Sequence, residues 1–173
     1  MLRIGELTIG HDLDWSQPNG FKMEYELRDG ETLAATLRFR SSFGSLATAE
    51  SADGCWTFKR VGLWHPVITV RACNEETNLA TFKNNTWTNG GTLEFPDGRR
   101  YRASTNFWAT RYAIASEAGL DLVSYEHIGG FMRMSSTVTI HPPAAQIREM
   151  PWVVPFGWYL AILMYMDSAA APV

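Results

Sequence analysis

Two short clusters of basic residues are the feature of the sequence that most directly suggests binding chemistry. They are Lys59-Arg60 and the run that contains Arg99, Arg100 and Arg102. Because alternate residues of a β-strand point to the same face, Arg100 and Arg102 would lie side by side. Each basic residue near an anionic bilayer adds about 1 kcal/mol to binding. We therefore predict that these residues bind anionic phospholipid, with the solvated outer face of a hairpin as the simpler interpretation.

The stretch His11-Asp12-Leu13-Asp14 combines an imidazole with two carboxylates, which is a set of metal-ligand types. The same stretch precedes Pro18, Asn19 and Gly20, and Asp and Asn commonly form turns in such surroundings. We favour the turn and predict neither a metal site nor a cofactor. The remaining histidines show no i, i+4 pairing on a predicted helix and are interpreted as polar boundary residues. They are His65, His127 and His141.

Catalytic motifs are missing from the sequence. It contains no G-x-S-x-G nucleophile elbow, no P-loop, no H-E-x-x-H and no Rossmann glycine pattern. This favours a non-catalytic protein, although an active site assembled from distant strands stays an alternative. Several tryptophans could stack on a ligand, but we expect them to pack in the core or at its rim. They are Trp56, Trp64, Trp87 and Trp108.

Composition favours one globular domain over residues 1–173. The chain is 46% hydrophobic and 19% charged, and its net charge of −3 provides no positive field for nucleic acid. Cys55 and Cys73 lack a C-x-x-C or histidine context and are predicted to be small buried thiols. Residues 1–6 show no apolar leader. Together these features predict a cytoplasmic protein, either free or associated with a membrane surface.

Alternating hydrophobicity predicts a chain rich in β-strands. Apolar and polar residues alternate over Phe21–Leu27 and again over Leu33–Phe39, on either side of a turn at Asp29-Gly30. Turn signals then recur every 21 to 24 residues, and the recurring centres are Gly30, Gly54, Glu76, Gly98 and Gly119. Further strands are expected at Leu2–Ile9, Trp56–Arg60, Phe131–Met134 and Thr137–His141. About twelve short antiparallel strands should close into a barrel, or split into a sandwich.

One uncharged segment, Met150–Met166, interrupts this pattern. Pro155 suits a first helical position, which predicts a helix over Phe156–Met166, within residues 155–166. Such a helix spans about 16 Å, roughly half of a ~30 Å hydrocarbon core. We therefore expect it to fill the barrel, leaving no interior cavity of ~300 Å³ for a ligand. The alternative places residues 150–166 in lipid and the barrel in the cytoplasm.

Three segments carry a family resemblance: Gly54–Gly62, Gly90–Tyr101 and Gly157–Met164. With the order of hairpins before a hydrophobic helix, they make the chain similar to a compact, bacterial-type member of the tubby-like C-terminal domain superfamily. That superfamily includes the LURP-one-related proteins and the phospholipid scramblases. Over residues 21–167 the resemblance implies a mainly β protein, a closed β-barrel around a C-terminal α-helix.

The same resemblance implies little about individual site residues. Tubby domains that bind phosphoinositides are longer and use exposed Lys and Arg, none of which can be matched here. The cysteine-rich and calcium-binding regions of scramblases have no counterpart. The expected function is therefore a non-catalytic binding or scaffold domain for anionic phospholipid, for a membrane surface or for a protein partner. A small-molecule barrel or enzyme, with the helix packed outside the barrel, is the last alternative.

Overall fold

Twelve antiparallel strands form a closed barrel in the computed structural model, which describes residues 1–6, 9–85, 90–130 and 132–170. Each strand pairs with its neighbours in the chain, and β1 closes the barrel against β12, with Leu13 opposite Val138. The strands are β1 Asp12–Ser16, β2 Glu24–Asp29, β3 Thr32–Phe39, β4 Ala47–Ser51, β5 Gly54–Val61, β6 Val67–Ala72, β7 Ala80–Asn85, β8 Gly90–Glu94, β9 Arg100–Thr105, β10 Tyr112–Ser116, β11 Asp121–Gly129 and β12 Ser135–Ile140. The prediction of a closed barrel with about twelve strands is confirmed.

The two ends of the barrel are built differently. Because neighbouring strands are antiparallel, the connections alternate between the ends. All the predicted turn centres, Gly30, Gly54, Glu76, Gly98 and Gly119, fall at one end, which we call the turn end. The opposite end, which we call the loop end, carries the described residues of five connections: 17–23, 40–46, 62–66, 106–111 and 130–134.

The C-terminal helix α1, Met150–Ala170, begins at the turn end, runs through the barrel and leaves at the loop end. The predicted start at Pro155 is wrong. Pro151, in the first turn, takes the position where a missing N–H costs nothing, and Pro155 lies inside the helix. Gly157 permits a close approach to Tyr125, because a Cβ at position 157 would collide with the tyrosine ring. The Tyr125 hydroxyl donates a hydrogen bond of 2.5 Å to the Val154 carbonyl.

Aromatic side chains on this helix form the centre of the core. Trp158 stacks on Trp15 at 6.0 Å between ring centroids and meets Tyr25 edge-on at 5.9 Å. Phe156 packs against Phe58 at 5.2 Å. By length and composition α1 could cross a membrane, but its residues 152–163 are buried within the barrel. The helix therefore occupies the lumen, and is not packed outside the barrel or placed in lipid.

Three of the strands predicted from the sequence are wrong in whole or in part. Ile4–Glu6 forms a 3-10 turn, and the first strand is β1, at residues that the sequence suggested were a turn. Phe21 is exposed and lies outside β2, because the Phe21 backbone N–H bonds the Asn19 side chain in a tight turn. Residues 132–134 are not a strand, and Phe131 lies outside the described residues. The strands predicted near Trp56 and Thr137 are confirmed with small shifts of their bounds.

Cys55 and Cys73 form a disulfide, so the prediction of two separate thiols is wrong. The register of β5 and β6 pairs Trp56 with Ala72, which places residues 55 and 73 opposite each other at the turn end. Their Cα atoms are 5.4 Å apart, within the normal range for a disulfide. Sequence spacing alone did not reveal the pair because the register depends on the β5–β6 connection.

Candidate functional site

Arg60, one of the predicted lipid-binding residues, anchors the C-terminal part of the helix. Its two terminal nitrogens donate to the Asp167 carboxylate at 3.0 and 2.7 Å. The hydrogen bond to Asp167 raises the pKa of Arg60, so the guanidinium stays charged. This bidentate pair lies at the loop end.

Arg99 anchors the opposite end of the helix. It bonds Asp97 at 2.7 Å and Glu149 at 2.6 Å, and its guanidinium lies 4.7 Å from the centre of the Phe95 ring. Burial alone would raise the pKa of Glu149, but the hydrogen bond from Arg99 brings that pKa below its ordinary value. Arg99 therefore holds the start of α1 at the turn end.

The other predicted cations lie on the outer wall of the barrel. Strand register connects Lys59 to Arg100 through Thr69, Thr81 and Glu94, one residue per strand. Lys59 and Arg100 are thus four strands apart. Arg100 and Arg102 are exposed neighbours on β9, and Glu94 lies 3.9 Å from Arg100. The structure brings Arg100 and Arg102 together, but it does not unite all the predicted cations in one patch.

The candidate metal residues are also dispersed. Asp12 and Asp14 point outward on β1 and accept hydrogen bonds from Thr139 and Thr137 at 2.8 and 3.4 Å. His141 pairs with Ser124 at 2.8 Å. Within the described residues, no group of three or more His, Cys, Asp or Glu side chains is arranged to hold a metal ion.

Large hydrophobic side chains project from the loop end, and sequence reasoning did not identify this feature. We call them the hydrophobic crown, and each is between 71% and 100% exposed. The crown consists of Phe21, Phe43, Leu63, Trp64, Phe107, Trp108 and Met132. Each of the five loop-end connections contributes at least one of these residues. At the turn end of the described structure, the exposed large hydrophobic residues are Met1 and Leu120.

Charge is also divided between the two ends. The five loop-end connections with described residues contain no Asp or Glu, and they carry Lys22, Arg40, Arg111 and Arg133. Arg111 is neutralised by Asp121 and Glu126 at 2.7 and 2.6 Å. The turn-end connections are acidic and contain Glu31, Asp53, Glu75, Glu76, Asp97 and Glu117. A chain of net charge −3 therefore presents its loop end without acidic loop residues.

Trp64 and Trp108 were expected to pack in the core or at its rim, and that expectation is wrong: they are 87% and 77% exposed. Trp56 is buried as expected, and Trp87 lies outside the described residues. A signal for the crown was present in the sequence. Phe43 lies between serine and glycine, and Leu63-Trp64 lies between glycine and His65-Pro66, so large apolar residues stand among turn-forming residues.

A pocket of about 430 Å³ lies beside α1 at the loop end and opens to solvent, so it is a pocket at the barrel rim and not an enclosed interior cavity. Its apolar lining includes Leu160, Leu163 and Met164 of the helix, and Tyr112 of β10 is among its polar residues. The helix fills the middle of the barrel, where its residues 152–163 are buried. This pocket and the crown lie at the same end.

A twelve-stranded barrel closed around one helix defines the fold class. The crystal structure of a protein from Arabidopsis thaliana, a LURP-one-related protein, has a similar fold. The TM-score is 0.57 at 10% sequence identity, and the match covers 96% of each chain. No protein-family model matches the chain, and no curated protein matches it either. The similarity therefore shows a shared LURP-like fold and nothing about ligand or activity.

Proposed function

We propose that this domain is a non-catalytic module that docks, loop end first, on anionic phospholipid membranes. The single observation that carries the proposal is the hydrophobic crown, in which five neighbouring connections expose large apolar side chains. Soluble monomeric proteins rarely expose a contiguous apolar patch of more than a few hundred Å², and larger patches mark interaction surfaces. These side chains are not part of the buried core, so we expect folding not to require them.

The residue types of the crown suit a bilayer interface. Trp and Tyr are enriched where headgroups meet acyl chains, since their rings are apolar at one end and polar at the other. Trp64 and Trp108 are exposed on separate loops, and Tyr165 at the exit of α1 is 52% exposed. Insertion of Phe43, which is fully exposed, would bury its whole side chain and contribute about 1.5–3 kcal/mol.

The charges of the loop end favour an anionic membrane. Lys22, Arg40 and Arg133 would each add about 1 kcal/mol near acidic headgroups. The acidic turn end would lie a barrel length away, beyond the ~8–10 Å over which salt screens charge. Net negative charge therefore does not prevent binding in this orientation. The cellular compartment remains a prediction, since the disulfide removes the cysteine argument for the cytoplasm.

Flotation with vesicles tests the proposal. The chain is mixed with neutral phosphatidylcholine vesicles, or with vesicles that also contain phosphatidylserine, at low and high salt. The double variant Trp64→Ser/Trp108→Ser should reduce binding at least tenfold. Leu120→Ser, an exposed apolar residue at the turn end, is the matched control and should change nothing.

The outer-wall alternative is tested in the same assay with Arg100→Gln/Arg102→Gln. If this variant loses binding and the tryptophan variant does not, the lipid site is the wall that the sequence suggested. If the wild-type chain floats with no vesicle composition at low salt, the membrane proposal fails. A protein partner at the crown then becomes the working model.

A further inference from the structure

The loop-end pocket has the size and lining of a ligand site. Its volume of about 430 Å³ lies within the range usual for small-molecule sites. Its aliphatic lining combines Leu160, Leu163 and Met164 of the helix with Ile68 of β6. Arg60 and Asp167, bonded to each other, lie at its polar margin. The lining also includes the polar residues Asn84, Asn85 and Ser168, so it suits an aliphatic body that carries a polar head group.

Tyr112 supplies a hydrogen-bond donor to the pocket. The residue is 4% exposed and lines the pocket, yet its hydroxyl makes no hydrogen bond with any described residue. The other buried tyrosines have partners: Tyr125 bonds Val154, Tyr159 bonds Ser45 at 2.7 Å, and Tyr101 meets Arg99 at 3.4 Å. Tyr25 approaches Met23 Sδ at 3.6 Å. The Tyr112 hydroxyl is not among the described buried atoms that lack a hydrogen-bond partner, so it is accessible from the pocket and can donate a hydrogen bond to a ligand or to water there.

We infer that this pocket binds one single-chain lipid, whose aliphatic chain lies along Leu160, Leu163 and Met164 and whose head-group oxygen accepts a hydrogen bond from Tyr112. The inference rests on the proposed function in one respect: the pocket opens at the end that would face the membrane, where such molecules are available. A carboxylate and an alcohol oxygen would both satisfy the hydroxyl. Met164 has an unbranched side chain that can adapt to chains of different shape.

Calorimetric titration without vesicles tests the pocket, with sodium decanoate and decanol as separate probes below the concentrations at which they aggregate. Saturable binding of at least one probe at one site is expected. Preference for decanoate would assign a fatty acid, and preference for decanol a neutral monoacyl lipid. Tyr112→Phe should weaken binding about 2- to 12-fold, because a net hydrogen bond contributes about 0.5–1.5 kcal/mol. Its melting temperature should not fall, since the hydroxyl has no partner in the free chain.

Two further variants complete the test. Met164→Trp should fill the pocket and abolish binding, and it covers the case in which Tyr112→Phe folds poorly. Tyr165→Phe removes an exposed hydroxyl from the same end of the helix and should bind like the wild type. The inference is overturned if neither probe binds saturably, if Met164→Trp binds normally, or if Tyr112→Phe loses stability with unchanged affinity.

Failure of this inference can be separated from failure of the proposed function. A chain that floats with vesicles but binds neither soluble probe keeps the membrane proposal and rejects the lipid pocket. A chain that binds decanoate in solution but never floats keeps the pocket and rejects the membrane proposal.

Discussion

The two ends of this barrel are built from different kinds of residues. The turn end has short connections with glycine at positive φ, such as Gly30, Gly98 and Gly119, and its loops are acidic. It also holds the Cys55–Cys73 disulfide and the Arg99–Glu149 ion pair. Each of these features has a folding role. They reverse the chain, cross-link a hairpin or fix the start of the helix.

The loop end contains features that folding does not explain. Exposed Phe43 and Trp64 are not part of the buried core, and the Tyr112 hydroxyl faces the pocket without a hydrogen bond to any described residue. Natural sequences often violate local design rules at functional sites. The contrast therefore supports the proposal that the turn end and the enclosed helix provide stability and that the loop end provides binding.

The largest expected loss of stability comes from the helix that joins the two ends. Trp158→Ala removes a fully buried ring that contacts Trp15 and Tyr25, and should cost about 3–5 kcal/mol of unfolding free energy. Urea denaturation followed by circular dichroism measures this loss. Trp64→Ala is the matched control, and equal losses for the two variants would show that burial does not distinguish the core from the crown.

The disulfide at the turn end should have the next largest effect. Cys55→Ser/Cys73→Ser opens a link across 18 residues and should cost about 3 kcal/mol. A reducing agent should lower the urea midpoint of the wild type and leave that of the double variant unchanged. If reduction leaves the wild type unchanged, the two cysteines do not form the cross-link in solution.

The ion pairs at the two ends of the helix should differ in strength. Glu149 is 19% exposed and Asp167 is 56% exposed, so solvent screens the Arg60–Asp167 pair more strongly. We expect Glu149→Gln to cost about 0.5–1 kcal/mol and Asp167→Asn less. Thermal unfolding at neutral pH measures both losses.

The Glu149 effect should depend on pH. The folded-state pKa of Glu149 lies below its ordinary value of 4.5. Its stabilising contribution is therefore complete above that value and is lost as pH falls through the folded pKa. Wild type and Glu149→Gln should converge in stability in strong acid. A constant difference from neutral pH to pH 3 would contradict the assigned pair.

The turn end and the helix could be predicted from sequence because their signals are local. Asp-Gly turns require positive φ, and an uncharged stretch between Glu149 and Asp167 requires enclosure. The start of the helix and the position of the first strand were harder to predict from the sequence. Pro151 and Pro155 both fit an early helical position, so the sequence did not fix where the helix begins. Strand β1 was missed because Asp12 and Asp14 resemble turn residues. Only the fold shows that they lie beside Thr137 and Thr139 and accept hydrogen bonds from them.

The candidate site depended on contacts between distant residues. Arg60 bonds Asp167, 107 residues away, and Arg99 bonds Glu149, 50 residues away. Each of the two predicted ligand-binding clusters therefore has one arginine that already forms an ion pair with a carboxylate in the helix or next to its start. The crown was missed for a related reason: its members are separated along the chain, and only closure of the barrel brings their loops to one end.

The smallest expected loss of stability comes from the crown itself. Phe43→Ser changes a fully exposed side chain and should alter unfolding free energy by less than about 0.5 kcal/mol, like other surface substitutions. Leu120→Ser at the turn end provides the matched control. The two variants should unfold at similar urea concentrations, yet only Phe43→Ser should weaken flotation with phosphatidylserine vesicles. A loss of more than about 1 kcal/mol for Phe43→Ser would give the crown a structural role, because a side chain that contributes only to binding is dispensable for the folded state.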